Sequence, residues 1–244
     1  MGEHISIWPI LVLAIIHLFG GRLSFLGGTP RSAWLSMAGG ISVAYIFLHL
    51  FPELSEGQEQ VEQFLGGAAG FLEHHVYLMA LLGLVIFYGL ERAAITSRKP
   101  VHEQGAADQP ETGVFWLHIS SFAIYNALIG YLLFQREEGP LKTLLLFSLA
   151  MALHFVVNDY GLQEHYRKNY KRKGRFVLVA ALVLGWALGY AIELPDAGIA
   201  MVMAFIGGGV ILNILKEELP EERKSRYWAF LLGTSFYAIL LLTL

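Results

Sequence analysis

Cysteine is absent from the 244 residues of this chain. Its absence excludes disulfide bonds and thiolate metal sites. Charged residues are also scarce, at 15% of the sequence, and the formal net charge is only −3. A chain with so little positive charge has no electrostatic basis for binding nucleic acid. No basic segment precedes the first apolar run, so a secretory signal peptide is not expected.

Apolar residues, in contrast, make up 55% of the sequence, and the mean hydropathy is +0.53. They form runs of about 17–22 residues, each long enough to cross a hydrocarbon core of about 30 Å as a helix. The runs are continuous, whereas the strands of a membrane barrel alternate. We therefore expect an all-α polytopic protein embedded in the lipid bilayer. Its eight predicted transmembrane helices are residues 5–21, 32–52, 75–92, 113–134, 140–160, 175–192, 197–218 and 226–243.

The positions of lysine and arginine predict the orientation of these spans. Of the 17 basic residues, all except Arg136 and Lys142 fall on one side of an eight-span topology. A seven-span topology would divide the basic loops between both faces. Because cytoplasmic loops accumulate positive charge, we expect both termini to be extracytoplasmic, in a plasma or inner membrane.

Two connections between spans carry predictions of their own. Residues 55–75 are too many for a turn, and Val61, Phe64 and Leu65 share one helical face, which predicts a short interfacial helix. Residues 96–113 combine proline, glycine and charge without periodicity and are predicted to form a loop.

Spans two and seven share a pattern of landmarks. Gly40 and Pro52 of span two match Gly208 and Pro220 of span seven at a constant offset of 168 positions. Since the two spans run in opposite directions, the match indicates an inverted repeat of the kind found in secondary transporters. The alternative is coincidence between two glycine-containing helices that each end in Pro-Glu. The repeat divides the single transmembrane domain 1–244 into a first three-helix unit (1–92), two central helices (113–160) and an inverted three-helix unit (175–244).

Span five carries the strongest cluster of polar residues, His154, Asn158 and Asp159. Ionisable residues inside a membrane are costly and indicate function by default. Imidazole, amide oxygen and carboxylate suit zinc, manganese or iron(II), so these three residues are candidate metal ligands. Asp159, however, is rotated by about 140° from His154 around the helix. The alternative is that Asp159 begins the headgroup zone and His154 hydrogen-bonds a neighbouring helix.

Further polar residues are candidates for lining a path through the membrane. For the residues of span four, which include no carboxylate, a hydrogen-bonding seam between helices is the favoured interpretation. For the other candidates the alternative is ordinary placement at the membrane interface. His17 of span one is predicted to be a packed or snorkelling histidine. The predicted pathway residues are His49, His118, Ser121, Tyr125, Asn126, Glu217 and Glu218.

Four segments together resemble the ZIP (Zrt/Irt-like) family of metal transporters. The segment from Ala38 to Glu53 is similar to the second helix of that family, and Gly207 to Glu221 to its seventh. Leu90-Glu91-Arg92 and Leu231-Leu232-Gly233 resemble the ends of its third helix and part of its last. The resemblance implies eight helices in a 3+2+3 arrangement, external termini, and transport of a divalent metal ion.

The metal-site motifs of that family are degenerate in this chain. In helix four, Ser121 and Tyr125 stand where the family has histidine and an acid, and Asn126 replaces a glycine. In helix five, His154 is kept, while Asn158 replaces a second histidine and Asp159 stands where a glutamate is usual. The resemblance therefore implies a divergent member with a depleted metal site at His154, Asn158 and Asp159.

These observations favour a transporter that moves a divalent metal ion, zinc in the first place, by alternating access. The metal is then substrate, and neither an organic cofactor nor an enzymatic activity is expected. The alternative is a ZIP-fold protein that does not transport metal and acts as a sensor, partner subunit or carrier of another solute. An intramembrane zinc hydrolase using His118, His154 and Asp159 ranks last, because no His-Glu-x-x-His spacing occurs. Gly185 and Gly189 suit the packing of a homodimer and equally suit ordinary helix contacts.

Overall fold

The computed structural model describes residues 5–20, 33–66, 74–96, 112–136, 140–217 and 226–243. Every regular element within these ranges is helical, and they contain no β-strand. Two π-helical turns, Ile46–Leu50 and Tyr170–Gly174, join α2 to α3 and α6 to α7. The α-helices are α1 (Ile7–Phe19), α2 (Ala33–Tyr45), α3 (Phe51–Leu65), α4 (His75–Thr96), α5 (Thr112–Gln135), α6 (Leu141–Asn169), α7 (Arg175–Ala191), α8 (Asp196–Glu217) and α9 (Tyr227–Thr243).

Six helical stretches in the described part of the chain are long and apolar enough to cross a membrane. The stretch formed by α2 and α3 is the longest of them, and α1 and α9 are shorter apolar helices. Many of their large apolar side chains, such as Trp8, Leu184 and Leu242, are exposed on the surface of the protein. Such a surface is unfavourable in water and suits the hydrocarbon core of a bilayer. The protein is therefore an all-α integral membrane protein, as its composition indicated.

The segment after span two differs from its prediction. Instead of a separate interfacial helix, α3 continues directly from α2 and ends at Gly66, which adopts a left-handed conformation with φ 54°. Pro52 lacks a backbone N–H, and its ring would clash with the carbonyl of residue 48 in an ordinary α-helix. The π-helical turn Ile46–Leu50 lies immediately before this proline and widens the backbone. The helix therefore passes through Pro52 without breaking.

The basic segment before span six differs as well. Residues 161–174 were expected to lie in a cytoplasmic loop, but α6 extends to Asn169 and the π-helical turn leads directly into α7. Lys171, Arg172 and Lys173 of that turn are exposed, whereas Tyr170 is buried. The basic side chains therefore stay in contact with solvent although their backbone is helical.

Contacts between helices give their directions, and successive spans alternate in direction. As a result, α1 begins and α9 ends at the same end of the molecule. We name this the Glu53 end, and the opposite one the Glu91 end. The contacts that give the directions are Ile119–Gly174 and Phe134–Tyr190 (α5 with α7), Tyr125–His154 and Arg136–Phe147 (α5 with α6), Ser6–Trp186 and Leu18–Arg175 (α1 with α7), Glu91–Lys216 and Phe87–Gly209 (α4 with α8), Leu50–Gly207 and Gly57–Ala200 (α2 and α3 with α8), and Ser36–Arg226 and Gly40–Thr234 (α2 with α9).

Two parallel helix pairs cross at glycines in the same way. A Cβ added to Gly40 of α2 would lie 2.0 Å from the carbonyl oxygen of Phe230 in α9. A Cβ added to Gly208 of α8 would lie 1.8 Å from the carbonyl oxygen of Ala80 in α4. Gly208 follows Gly40 by 168 positions, and Phe230 follows Ala80 by 150. Only glycine allows the two backbones to approach this closely.

The contact is reciprocated at both crossings. A Cβ added to Gly233 of α9 would lie 2.1 Å from the carbonyl oxygen of Met37. A Cβ added to Gly83 of α4 would lie 2.1 Å from the carbonyl oxygen of Phe205. Phe205 follows Met37 by 168 positions, and Gly233 follows Gly83 by 150. The pair α2–α9 and the pair α4–α8 therefore interlock with the same register.

A third glycine crossing joins α5 to α7. Gly185 lies against the backbone of Ala127, and Gly130 lies against that of Leu182. Gly189 packs on Phe134 of the same pair. Gly185 and Gly189, which suited a homodimer in the sequence, are therefore both buried within the chain and do not present a dimer surface.

The helices form two groups. One group, the α5 bundle, consists of α1, α5, α6 and α7, and the other, the α8 bundle, of α2, α3, α4, α8 and α9. The closest packing lies within each group, at the glycine crossings, while the contacts between the groups are fewer. The cavities described next lie between the two bundles.

Candidate functional site

Two adjoining cavities of about 40 and 30 Å³ open between the bundles at the Glu91 end. We call them together the Glu91 pocket. This space suits an ion or a few water molecules. Its polar lining comes from four helices and consists of Glu91, His118, Tyr125, His154, Asn158, Asn213 and Lys216.

Helical spacing explains why these side chains meet. On α5, α6 and α8 the lining residues recur at i, i+4 and i+7, which keeps them on one face of each helix. On α4 the two lining residues, Phe87 and Glu91, are separated by four positions. The three stripes are His118, Phe122 and Tyr125 on α5, His154, Asn158 and Gly161 on α6, and Gly209, Asn213 and Lys216 on α8.

Hydrogen bonds hold both histidines of the pocket. His118 Nδ1 bonds the hydroxyl of Tyr166 at 2.8 Å, and His154 Nε2 bonds the hydroxyl of Tyr125 at 3.2 Å. Both rings are buried, with 8% and 4% of their surface exposed. These hydrogen bonds fix the orientation of both imidazole rings.

The remaining polar groups of the pocket are a charged pair and an unpaired amide. The carboxylate of Glu91 forms an ion pair with the ammonium group of Lys216. Asn158 is only 5% exposed, yet its Nδ2 has no hydrogen-bond partner. A buried amide N–H without a partner is unfavourable by about 1–3 kcal/mol. The pocket is therefore not satisfied by the protein alone.

A second buried polar cluster lies behind the pocket, where α1 packs on α5 and α6. His17 Nε2 donates to Asn126 Oδ1 at 2.7 Å, while the Asn126 amide nitrogen donates to the carbonyl of Phe122 at 2.8 Å. His17 Nδ1 is hydrogen-bonded to both carboxylate oxygens of Asp159, at 2.9 and 3.0 Å. His17, Asn126 and Asp159 are completely buried. Gly20 lies close against the Asp159 side chain, which leaves no room for a larger residue there.

The three candidate metal ligands of α6 therefore divide between two sites. His154 and Asn158 line the Glu91 pocket, whereas Asp159 faces α1 and bonds His17. The rotation around the helix separates them, since residues 154 and 158 share a face that residue 159 does not. Within the described residues, no group of three or more His, Asp or Glu side chains is placed to hold a metal ion.

The predicted pathway residues are also divided. His118 and Tyr125 line the pocket, while Asn126 belongs to the buried cluster and Ser121 donates to the carbonyl of Leu117 in its own helix. His49 lies in the first π-helical turn near Glu53, with 4.0 Å between Nε2 and Oε2. Glu217 is the last residue of α8, but its side chain is outside the described part, as is all of Glu218.

Sequence reasoning missed several residues of these sites. Glu91 and Lys216 were noted only as parts of motifs, and Asn213 had no assigned role. A signal was nevertheless present, because Gly209, Asn213 and Lys216 follow the same i, i+4, i+7 spacing as the polar residues of the neighbouring helices. His17 was correctly expected to be packed, but its partner on a distant helix carries no local signature.

A larger cavity of about 360 Å³ opens at the opposite end of the molecule, between α3, α6 and α8. We call it the Glu53 cavity. The guanidinium of Arg136, just after α5, pairs with the carboxylate of Glu53 in α3 and lies 4.6 Å from the ring of Phe147. This contact joins the two bundles. The polar lining of the cavity is Glu53, Glu56, Gln60, Gln135, Arg136, Thr143 and Asp196.

An apolar layer separates the two openings. The helices α5, α6 and α8 line both of them, and between the two linings these helices carry buried apolar side chains of one core cluster. Each of these side chains is at most 2% exposed. The layer consists of Ile129 and Leu132 on α5, Phe147 and Met151 on α6, and Ile206 on α8.

Two polar openings, one at each end, thus lie along the same three helices and are separated by a buried apolar layer. Polar side chains enter from both ends along the same helices, and apolar packing closes the middle. Buried polar residues in membrane helices mark substrate or ion pathways. No protein-family model matches this chain, and no curated protein sequence matches it either. Its function is therefore argued from these sites and from the motifs of the sequence.

Proposed function

We propose that this protein is a ZIP-like membrane transporter with eight transmembrane helices that moves a divalent metal ion, zinc in the first place, by alternating access. One observation carries the proposal. The Glu91 pocket and the Glu53 cavity open at opposite ends along the same three helices, α5, α6 and α8, with a buried apolar layer between them.

The glycine crossings support the inverted repeat on which this architecture depends. The residues of α2 correspond to those of α8 at an offset of 168 positions, and the residues of α4 to those of α9 at an offset of 150. With these correspondences, the contacts of the α2–α9 pair become those of the α8–α4 pair. The corresponding helices run in opposite directions, as an axis in the membrane plane requires. Coincidence between two similar helix ends would not reproduce four contacts in matching register.

The donor set of the Glu91 pocket supports a divalent metal as the substrate. Its lining contains the imidazoles of His118 and His154, the amides of Asn158 and Asn213 and the carboxylate of Glu91, although the two histidines and the glutamate do not form one ligand group in this conformation. Imidazole with oxygen donors suits zinc, manganese and iron(II). The pocket thus contains two donors that were not predicted, Glu91 and Asn213. Asp159 belongs instead to the neighbouring cluster, where its bond to His17 holds α1.

The two bundles provide the moving parts for alternating access. Each is held together by close glycine crossings, while the contact between them includes the rings of Phe87, Phe122 and Tyr125 and the pair of Arg136 with Glu53. Ring contacts and a single half-buried ion pair rearrange more readily than interlocked backbones. Movement of one bundle against the other would part the apolar layer from the Glu91 pocket and from the Glu53 cavity in turn, so that the middle of the path is reached from one end at a time.

Basic side chains support an orientation with the Glu91 end in the cytoplasm. At that end lie Arg92, Lys216, Arg226 and the exposed residues of the second π-helical turn. At the Glu53 end the described basic residues are Arg136 and Lys142. The positive-inside rule then places both termini outside the cytoplasm, in a plasma or inner membrane. An isologous homodimer through the lipid-facing helices is compatible with this placement.

Metal uptake into proteoliposomes tests the proposal. Purified protein is reconstituted, and the entry of Zn²⁺, Mn²⁺ or Fe²⁺ is followed with an indicator dye inside the vesicles. We expect saturable uptake that falls roughly tenfold or more in His154→Gln and in Asn158→Leu, because each removes a donor from the pocket. His74→Asn is the matched control, since His74 is exposed and lies outside both cavities. Sealed vesicles without uptake of any of these metals would refute the proposal.

A second function is favoured by one observation, namely that the described residues contain no group of three or more acidic or histidine ligands. A ZIP-fold protein that does not transport metal would act as a sensor, a partner subunit or a carrier of another solute. Elemental analysis of protein purified without chelator separates the two functions. Stoichiometric metal that disappears in His154→Gln supports transport, whereas metal-free protein together with absent uptake supports the second function.

A further inference from the structure

The Glu91 pocket holds one negative charge, and that charge is already engaged. Among the described residues that line the pocket, Glu91 is the one carboxylate. Lys216, which lines the same pocket from α8, forms an ion pair with it. The Glu91 side chain is 15% exposed and the Lys216 side chain 34%. The lysine is therefore the more accessible member of the pair.

The pocket also contains a buried amide whose nitrogen has no hydrogen-bond partner. Asn158 is 5% exposed, and its Nδ2 has no partner. Asn158 lines the pocket together with Glu91, so its amide oxygen adds a neutral oxygen donor to the carboxylate. A cation bound there would gain this oxygen together with the carboxylate.

We infer that the ammonium group of Lys216 binds the carboxylate of Glu91 when no metal ion is bound, and that it determines which cations can replace it there. The inference rests on the proposed function and adds a specificity-determining residue to it. A monovalent ion that replaced the ammonium group would bring no additional charge to the carboxylate. A divalent ion brings a second positive charge and coordinates imidazole and amide donors as well. The exchange therefore favours divalent over monovalent cations.

Competition by Lys216 also assists release. A pocket without a competing cation would bind a divalent ion tightly and release it slowly. Lys216 rebinds Glu91 as the metal leaves, so the carboxylate is not left buried without a partner, which would be costly. Weaker binding and faster release are then two effects of one side chain.

Lys216→Met tests the inference, because methionine keeps most of the side-chain volume and removes the charge. In proteoliposomes we expect KM for Zn²⁺ or Mn²⁺ to fall about tenfold and kcat to fall as well, with Na⁺ and K⁺ becoming inhibitors. Lys216→Arg should retain a KM close to that of the unmodified protein, because it keeps the positive charge. Lys142→Met, on an exposed lysine at the Glu53 end, is the matched control and should change neither parameter.

A purely structural role for Lys216 would instead lower the thermal stability and leave KM unchanged. A KM that stays constant or rises in folded Lys216→Met would overturn the inference while uptake by the unmodified protein still supports the proposed function. Absence of uptake in the unmodified protein counts against the proposed function itself. Equilibrium binding of Mn²⁺ to detergent-purified protein then decides on Lys216, since tighter binding by Lys216→Met supports its role. Equal binding, or no binding by either protein, overturns it.

Discussion

Substitution of Gly40 by alanine gives a direct test of the interlocked helix pairs. The added Cβ would lie 2.0 Å from the carbonyl oxygen of Phe230, whereas ordinary contact begins at 3.4 Å. Helices α2 and α9 would have to separate by the difference, about 1.4 Å, or distort. Overpacking of this kind typically costs about 1–3 kcal/mol. Gly208→Ala, at the equivalent position of the other pair, is expected to cost a similar amount.

Gly89→Ala is the matched control for this prediction. Gly89 also lies within a helix, is exposed, and has no atom within 4 Å of a built Cβ. Alanine favours the helix by about 0.5–1 kcal/mol over glycine in both variants, so their difference isolates the effect of the close approach. The free energy of unfolding in mixed micelles, followed by tryptophan fluorescence, measures it. A Gly40→Ala protein as stable as Gly89→Ala would refute the interlocked packing.

Three further substitutions test contacts inside and between the bundles. Asp159→Ala leaves His17 Nδ1 without its acceptor and should lower the free energy of unfolding by about 1–3 kcal/mol, measured by the same titration. Tyr125→Phe removes one buried hydrogen bond and should cost only about 1 kcal/mol; a loss as large as that of Asp159→Ala would contradict this ranking. Arg136→Glu should increase the labelling of cysteines introduced around the Glu53 cavity, because it breaks the ion pair with Glu53. Adding Glu53→Arg should reverse the increase. If neither change alters the labelling, Arg136 and Glu53 do not hold the two bundles together.

Much of the fold could be predicted from the sequence, because a span is a local property. The apolar runs predicted the helices of the structure to within a few residues at many ends, as at His75 and Gly113. Continuations of helices were not predictable in this way. Pro52 usually ends a helix, and the π-helical turn that lets it continue leaves no distinct pattern in the sequence.

The candidate site was predictable only in part, for the same physical reason. Helical spacing correctly kept His154 and Asn158 together and turned Asp159 away from them. The hydrogen-bond partner of Asp159 depends on how α1 packs, because that partner, His17, is 142 positions away in the sequence. The pairing of Glu91 with Lys216 likewise needs α4 and α8 to lie side by side.

The sequence by itself determined that this chain is helical, lies in a membrane and repeats its glycine landmarks, since each of these follows from composition and spacing along the chain. The tertiary structure alone decided how the polar residues are shared. It joined His17, Asn126 and Asp159 into a buried cluster and left His154 and Asn158 to a separate pocket. The reason is geometric: spacing fixes the face of one helix on which a residue lies, but the partner of that face is chosen by the packing of all the helices together.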